Sequence, residues 1–237
     1  MTLADLPLPA GVTGHVHADP HSLAEALARQ VADALGAAVA ARGRALLRVS
    51  GGRSPVLFFE QLARQALPWR QVLVGLVDER WVPSTHPDSN EALVRRHLLR
   101  DAAAEACLLG LYRPAASLVQ AAELAAATQS GLAPADVLVL GMGDDGHTAS
   151  LFPASPNLAE ALRADCARTV LPMRAPSAPA ERLSLTLAVL RAARLPLLAI
   201  QGQAKLAVLA RALQPGPAEE LPIRALLRAP LQIHWCP

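Results

Sequence analysis

The sequence predicts an α/β fold: a mainly parallel sheet with helices on both faces. Three observations carry that expectation. Short apolar, β-branched runs alternate with alanine- and leucine-rich helical stretches, the rhythm of βα units. Hydrophobic residues make up 52% of the chain, enough to bury a substantial core. And 237 residues suit one large α/β domain, so residues 1–237 are expected to form a single domain.

The elements follow in order. A first helix is expected over His21–Ala41, with Leu23, Leu27, Val31 and Leu35 on one face and Gly43 as its stop. A strand over Ala45–Val49 runs into Ser-Gly-Gly-Arg-Ser-Pro, residues 50–55. Pro55 suits the first turn of a following helix. A second strand, Val72–Val77, leads into Asp78-Glu79-Arg80, and the spacing of Asp88 and Glu91 predicts a capping box with a helix beginning near Ser89. A third strand, Val137–Leu140, leads into GMGDDGHTASLFP, residues 141–153. Later strands are expected at Thr169–Leu171, Leu183–Leu187 and Leu197–Ile200. Helices near Gln203–Leu213 and Ile223–Leu227 precede a closing strand at Gln232–Trp235.

Composition narrows the function classes. Lysine and arginine total 22 against 20 acidic residues, a formal charge of +2, which predicts neither a nucleic-acid nor a membrane partner. Aromatics are 3% of the chain, too few for base stacking as a purpose. Cys107, Cys166 and Cys236 are odd in number and scattered, so neither a disulfide framework nor a zinc site follows. The N-terminal MTLADLPLPAGVTGH has no basic start and no long apolar run. A reducing, cytoplasmic setting is the expectation. His15, His17 and His21 lack an acidic or cysteine partner in a metal-site pattern. No metal is expected.

Three strands end in polar, glycine-bearing loops, and ligands of open parallel sheets bind outside the carboxyl ends of strands. The loops can therefore meet at one site. Gly51 and Gly52 bare the backbone where a strand turns into a helix, which favours an anion, and Ser50 and Ser54 add hydroxyls. A tight turn with a serine cap is the alternative. Arg80 leaves a strand end with a planar fork suited to two phosphate oxygens, or else pairs with a neighbouring acid. Gly141, Gly143 and Gly146 match GxGxxG literally. They stand in the middle of the chain, however, and Asp165 precedes a strand instead of ending one, so no dinucleotide is expected. In Asp145-Gly146-His147, a carboxylate two residues from an imidazole can orient it and raise its basicity, as a general base requires. A helix-capping histidine is the alternative. Arg182 and Lys205 are cations beside the later strands. Lys205, the only lysine, is expected in the first turn of a helix, where the dipole disfavours a cation unless an anion binds.

These motifs together resemble the 6-phosphogluconolactonases. SGGRSP, VDERWVPSTHPDSN, GMGDDGHTASLFP, RLSLTL and GQAK occur in that family's order and approximate spacing, from about residue 40 to the C-terminus. The resemblance implies a Rossmann-like sheet without a bound dinucleotide, shared with sugar-phosphate isomerases and deaminases. It implies cofactor-free hydrolysis of 6-phosphoglucono-1,5-lactone to 6-phosphogluconate in the pentose phosphate pathway. By that resemblance His147 activates water beside Asp145, while Arg80, Arg182, Lys205 and the Ser50–Ser54 loop hold the phosphate. The expected assembly is a monomer or small homo-oligomer. Ser54 stands where the family commonly has threonine, and keeps the hydroxyl. A glucosamine-6-phosphate deaminase, the nearest rival, carries a glutamate shortly after the DGH motif. Here Phe152 holds that place, and a phenyl ring cannot transfer a proton. A non-catalytic sugar-phosphate sensor, the second rival, would lack the intact Asp145–His147 pair.

Overall fold

The computed structural model describes residues 1–237. Its main sheet has seven parallel strands: β1 (Thr13–Val16), β2 (Ala45–Val49), β3 (Val72–Leu76), β5 (Cys107–Leu109), β6 (Val137–Leu140), β9 (Leu195–Gln201) and β10 (Gln232–Cys236). Their spatial order is β1-β10-β9-β6-β2-β3-β5. β4 (Asp78–Arg80), β7 (Val170–Arg174) and β8 (Glu181–Leu185) form a separate antiparallel sheet in the order β4-β8-β7. One hydrophobic core runs through both sheets, from Leu47 and Val139 to Leu171, Leu183 and Leu185.

The helices are α1 (Pro20–Arg42), α2 (Val56–Leu62), α3 (Asn90–His97), α4 (Leu118–Gln129), α5 (Leu158–Ala161), α6 (Leu187–Arg191) and α7 (Gln203–Ala212). α1 shows why local sequence sets its bounds. Asp19 caps it by accepting from the Ser22 amide at 2.7 Å, Pro20 opens it, and Gly43 closes it at φ 72°, a conformation glycine adopts without strain. Leu23, Leu27, Val31 and Leu35 are buried on the face turned to the sheet. β2 and β6 are buried along their whole length; β6 is apolar throughout, as strands covered on both faces are, whereas β2 carries one buried cation, Arg48, which donates to Gln129 Oε1 at 2.7 Å.

The topology positions the site. From β2 the chain moves outward to β3 and β5, then returns to lay β6 on the other side of β2. The strand order reverses between β2 and β6, and in open α/β sheets the ligand crevice lies outside the carboxyl ends at such a reversal. The Ser50 loop and the Gly141 loop leave the sheet there.

Several expectations need correction. Asp78-Glu79-Arg80 is a strand, β4, and not a loop. It leaves the main sheet at Val77, whose carbonyl accepts from the Leu185 amide at 2.8 Å, and this hands the chain to the second sheet. The runs expected near 169–171 and 183–187 are β7 and β8 of that sheet, so they add no parallel strands. α3 is capped by Ser89, not Asp88: Ser89 Oγ accepts from the Ala92 amide at 3.2 Å, and Glu91 pairs with Arg95 at 2.8 Å instead. The helix expected near residue 223 is a 3-10 turn over Pro222–Leu226. β1 and β5 went unforeseen. β1 is an exposed edge strand without an apolar pattern, and β5 has three residues.

The N-terminal histidines do not converge on a metal geometry. His21 faces Glu25 at 3.7 Å. His15 and His17 flank His234 of β10: His15 stacks on it with centroids 4.6 Å apart, and His17 Nε2 meets its Nδ1 at 3.0 Å.

Candidate active site

The cleft at the strand reversal has a volume of about 280 Å³, and Ser50, Gly51, Gly52, Ser54, His147 and Phe152 line it. Asp78, Arg80, Asn90 and Arg182 also line it.

The imidazole is held by its own loop. Residues 143–146 form a tight turn in which the Gly146 amide donates to the Gly143 carbonyl at 3.1 Å, while the Gly143 amide donates to the His147 carbonyl at 2.8 Å. Gly146 sits at φ 74°, a left-handed conformation that a side chain would strain. Gly143 is required for a different reason. A Cβ there would lie 2.1 Å from His147 Nδ1 and 2.7 Å from Asp145 Oδ1, inside both groups. Asp145 Oδ1 lies 2.5 Å from His147 Nδ1 and also accepts the His147 backbone amide at 3.1 Å. An ionised carboxylate only accepts, so Nδ1 carries the proton and Nε2 presents a lone pair. Burial pushes the Asp145 carboxyl up, but the hydrogen bonds and charge of His147 outweigh this and hold it below the usual carboxylate value. Asp145 therefore stays ionised behind the ring.

The cleft also has a cationic wall. In the register of β4 and β8, Arg80 stands directly opposite Arg182, a like-charge pairing that costs stability. Arg182 is 6% exposed and its buried Nε has no hydrogen-bond partner. Burial, and then the adjacent Arg80, pull its pKa below the ordinary arginine value. Arg80 donates through Nη1 to the Asp88 carbonyl at 2.6 Å, while its buried Nε is also unpartnered. Ser50 Oγ is buried without a partner too. Buried donors are almost always satisfied, so three orphans at one cleft describe a place for an anion.

This wall is stiffened from behind. Glu79, fully buried, accepts from the amides of Arg80 (2.8 Å), Asn90 (2.7 Å) and Glu91 (2.8 Å), and from Ser89 Oγ at 3.0 Å. It ties β4 to the start of α3. Burial pushes its pKa up to about 6 against those hydrogen bonds. Asn90 donates through Nδ2 to the Asp78 carbonyl at 2.9 Å. Its Oδ1 occupies the space a Cβ on Gly51 would need, 1.9 Å from that position. The Gly51 backbone is thus bare so that α3 can approach.

The structure brings Ser50, Gly51, Gly52, Ser54, Arg80, His147 and Arg182 to one cleft, with Asp145 behind His147. Lys205 is at the third position of α7, as expected, but it is not part of the cleft lining. Its Nζ pairs with Asp144 Oδ1 at 2.7 Å, and that carboxylate is the anion offsetting the helix dipole. Asn90, Phe152 and Thr148 line the cleft without having been singled out for it. Asn90 belongs to the SN that closes VDERWVPSTHPDSN, the one signal that pointed there. No group of three or more His, Cys, Asp or Glu side chains is arranged to hold a metal ion, and no helix is long and apolar enough to cross a membrane.

A parallel α/β sheet whose reversal point holds an Asp–His pair and two arginines in one cleft defines an anion-binding α/β protein with an acid–base group. Comparison with known proteins makes this specific. The family model of the glucosamine-6-phosphate isomerases/6-phosphogluconolactonase matches residues 18–235. A 6-phosphogluconolactonase of Pseudomonas aeruginosa is 56% identical, with both chains covered completely. One of Pseudomonas putida is 53% identical over 100% of this chain and 98% of its own. The crystal structure of a 6-phosphogluconolactonase from Shewanella baltica superposes with a TM-score of 0.92 at 35% identity, covering 97% of this chain and 100% of that one. A monomeric glucosamine-6-phosphate deaminase shares the fold, with a TM-score of 0.78 at 18% identity over 94% of this chain and 97% of its own. The chain belongs to the glucosamine-6-phosphate isomerase/6-phosphogluconolactonase family.

Proposed function

We propose that this chain hydrolyses 6-phospho-D-glucono-1,5-lactone to 6-phospho-D-gluconate in the oxidative branch of the pentose phosphate pathway, with His147 as general base. The observation that carries the reading is the presence, in one cleft, of the Asp145-held imidazole and of the Arg182 guanidinium with its buried Nε unpartnered. A substrate with a phosphate at one end and an acyl carbon at the other fits that pair.

In the proposed mechanism a water attacks C1 while its proton passes to His147 Nε2. Asp145 stabilises the imidazolium through Nδ1 and fixes the ring's orientation. The tetrahedral intermediate expels the ring oxygen, which takes the proton back from Nε2, and the open-chain acid leaves. A lactone is an activated ester, so no covalent nucleophile is needed. Arg80, Arg182 and the Ser50–Ser54 loop grip the phosphate away from C1. Binding energy there is spent on orienting the carbonyl for attack. Lys205 is assigned to the same phosphate, which it reaches by exchanging Asp144 for the ligand.

Phe152 sets this reading apart from the deaminase alternative, because the phenyl ring offers no group to move a proton between C1 and C2. Residues 1–237 act in this reading as one lactonase domain, cytoplasmic, and a monomer or small homo-oligomer. The test generates the lactone in situ from glucose 6-phosphate and follows 6-phosphogluconate by a coupled dehydrogenase. Acceleration above the spontaneous rate supports the reading. A folded protein that gives none, but turns over glucosamine 6-phosphate, overturns it.

A further inference from the structure

Phe152 is 7% exposed, yet it is not part of the continuous hydrophobic core that contains its neighbour Leu151. Its ring lies instead against two polar side chains of the cleft. The His147 ring centroid is 4.2 Å away at a 40° tilt, and Arg182 Cζ lies 5.8 Å from the centroid, over the ring. A buried aromatic surrounded by site groups is placed for something other than burial.

Each of the two neighbours is held incompletely without it. Asp145 grips His147 by one ring nitrogen, and a ring tethered at Cγ and bonded at Nδ1 can still swing about its Cγ–Nδ1 edge. The Phe152 ring closes that swing. Arg182 Nε has no acceptor, and Arg80 opposite repels it. The carboxylates of Asp78, Glu79 and Asp88 attract it through space, and the negative face of the Phe152 ring lies directly against the guanidinium. Phe152 itself stands on a rigid support. Two residues earlier, Ser150 Oγ donates to Asp78 Oδ2 at 2.5 Å and the Ser150 amide donates to Ser184 Oγ at 3.2 Å.

We propose that Phe152 is a positioning residue that sets the imidazole of His147 and the guanidinium of Arg182 at one fixed separation, matching the span between the reacting carbonyl and the phosphate of the substrate. The proposal rests on the lactonase reading above. A residue that fixes two groups at once is coupled to both. Its loss lowers kcat through the base and raises KM through the cation, whereas loss of a packing residue lowers only the folded fraction.

The test compares wild type, Phe152→Leu and Phe152→Tyr, alone and in the His147→Ala background. Phe152→Leu keeps the apolar bulk and removes the ring. It is expected to lower kcat by about tenfold or more, because small misplacements of a reacting group are costly. It is also expected to weaken binding of inorganic phosphate, measured by titration calorimetry, about three- to tenfold through loss of the cation–π contact. Phe152→Tyr retains the ring face and is expected to recover most of both. In the His147→Ala background Phe152→Leu is expected to cost no further kcat, since the group it positions is gone, while still weakening phosphate binding. If Phe152→Leu keeps kcat and phosphate affinity within about twofold of wild type, the proposal is overturned. A full further loss of kcat on top of His147→Ala overturns it as well. If Phe152→Leu fails to fold, Phe152→Tyr and Phe152→Met decide by the same comparison: Tyr near wild type with Met impaired supports the positioning role, and equal activity refutes it. A wild type without lactonase activity sinks the functional reading instead, and the phosphate titrations still report on Phe152 and Arg182.

Discussion

Arg80 and Arg182 stand opposite one another across β4 and β8, and the buried Nε of each lacks an acceptor. Two facing guanidinium groups of which one is almost wholly buried oppose folding, and no protein anion bonds to either Nε. A bound dianion would reverse the sign of that interaction. Replacing Arg182 by Met, which keeps an apolar stem of similar length, is therefore expected to raise KM for the phosphorylated lactone about ten- to a hundredfold, the worth of a charge-assisted hydrogen bond of about 1.5–3 kcal/mol. The thermal midpoint should be unchanged or higher, because a repulsion has gone. Steady-state kinetics and a melting curve check both halves. An unchanged KM removes Arg182 from the phosphate site.

Lys205 provides a different contrast. Its present partner is the exposed Asp144, so the ligand must compete with that carboxylate. Lys205→Ala should raise KM several-fold with kcat little changed, and Asp144→Asn should lower KM slightly by freeing the ammonium. Kinetics of the two variants decide. If neither moves KM, Lys205 is a helix-end lysine paired on the surface.

Gly143 tests the geometry behind the base. A Cβ there would overlap His147 Nδ1, so Gly143→Ala must displace the imidazole or the turn. Turnover is expected to fall by about a hundredfold, since displacement of roughly 1 Å can cost that much, with the overall fold retained by circular dichroism. Near-normal turnover would mean that the ring does not work from the position described.

His234 gives a pH dependence that is independent of catalysis. Burial first, then the charges of His15 and His17, lower its pKa from 6.5 to about 3. The unfolded chain binds that proton below about 6.5, and the folded chain does not until about pH 3. Stability from the neutral ring is thus present above the unfolded value and is lost as pH falls from about 6.5 toward 3. His234→Gln should flatten the acid side of a thermal-midpoint profile over that window. A profile as steep as wild type would show that other groups drive acid unfolding. Glu79 works in the opposite direction. With a folded pKa of about 6 against an ordinary 4.5, it favours the folded state most at low pH and loses that contribution as pH rises through about 6.

Much of this was legible in the sequence because it is local. α1 carries its cap, its 3.6-residue apolar face and its glycine stop within the segment, β6 is an unbroken apolar run, and β2 is apolar but for Arg48. The Asp145–His147 pair was legible for the same reason, since two residues of a glycine turn build it. β1 and β4 were not legible: an exposed edge strand and a three-residue strand take their identity from partners far along the chain. The pairing of Arg80 with Arg182 exists only through the register of β4 and β8, so no spacing could show it. The ties of Asn90 to Gly51 and Asp78 depend on how α3 approaches the Ser50 loop. Phe152 read as the absence of a glutamate, and its contacts with His147 and Arg182 appear only in three dimensions. Lys205 was placed correctly on its helix, but its contact with Asp144 belongs to a neighbouring loop.

The central claim is that His147, held by Asp145, is the base that activates water. The measurement that tests it most directly is kcat for 6-phosphoglucono-1,5-lactone by the coupled assay, wild type against His147→Ala, both shown to be folded. A positioned general base contributes about 10²- to 10⁴-fold. A loss of that size is expected, with the residual rate still above spontaneous hydrolysis because the phosphate grip and orientation remain. A folded His147→Ala protein that turns over the lactone at near the wild-type rate would contradict it.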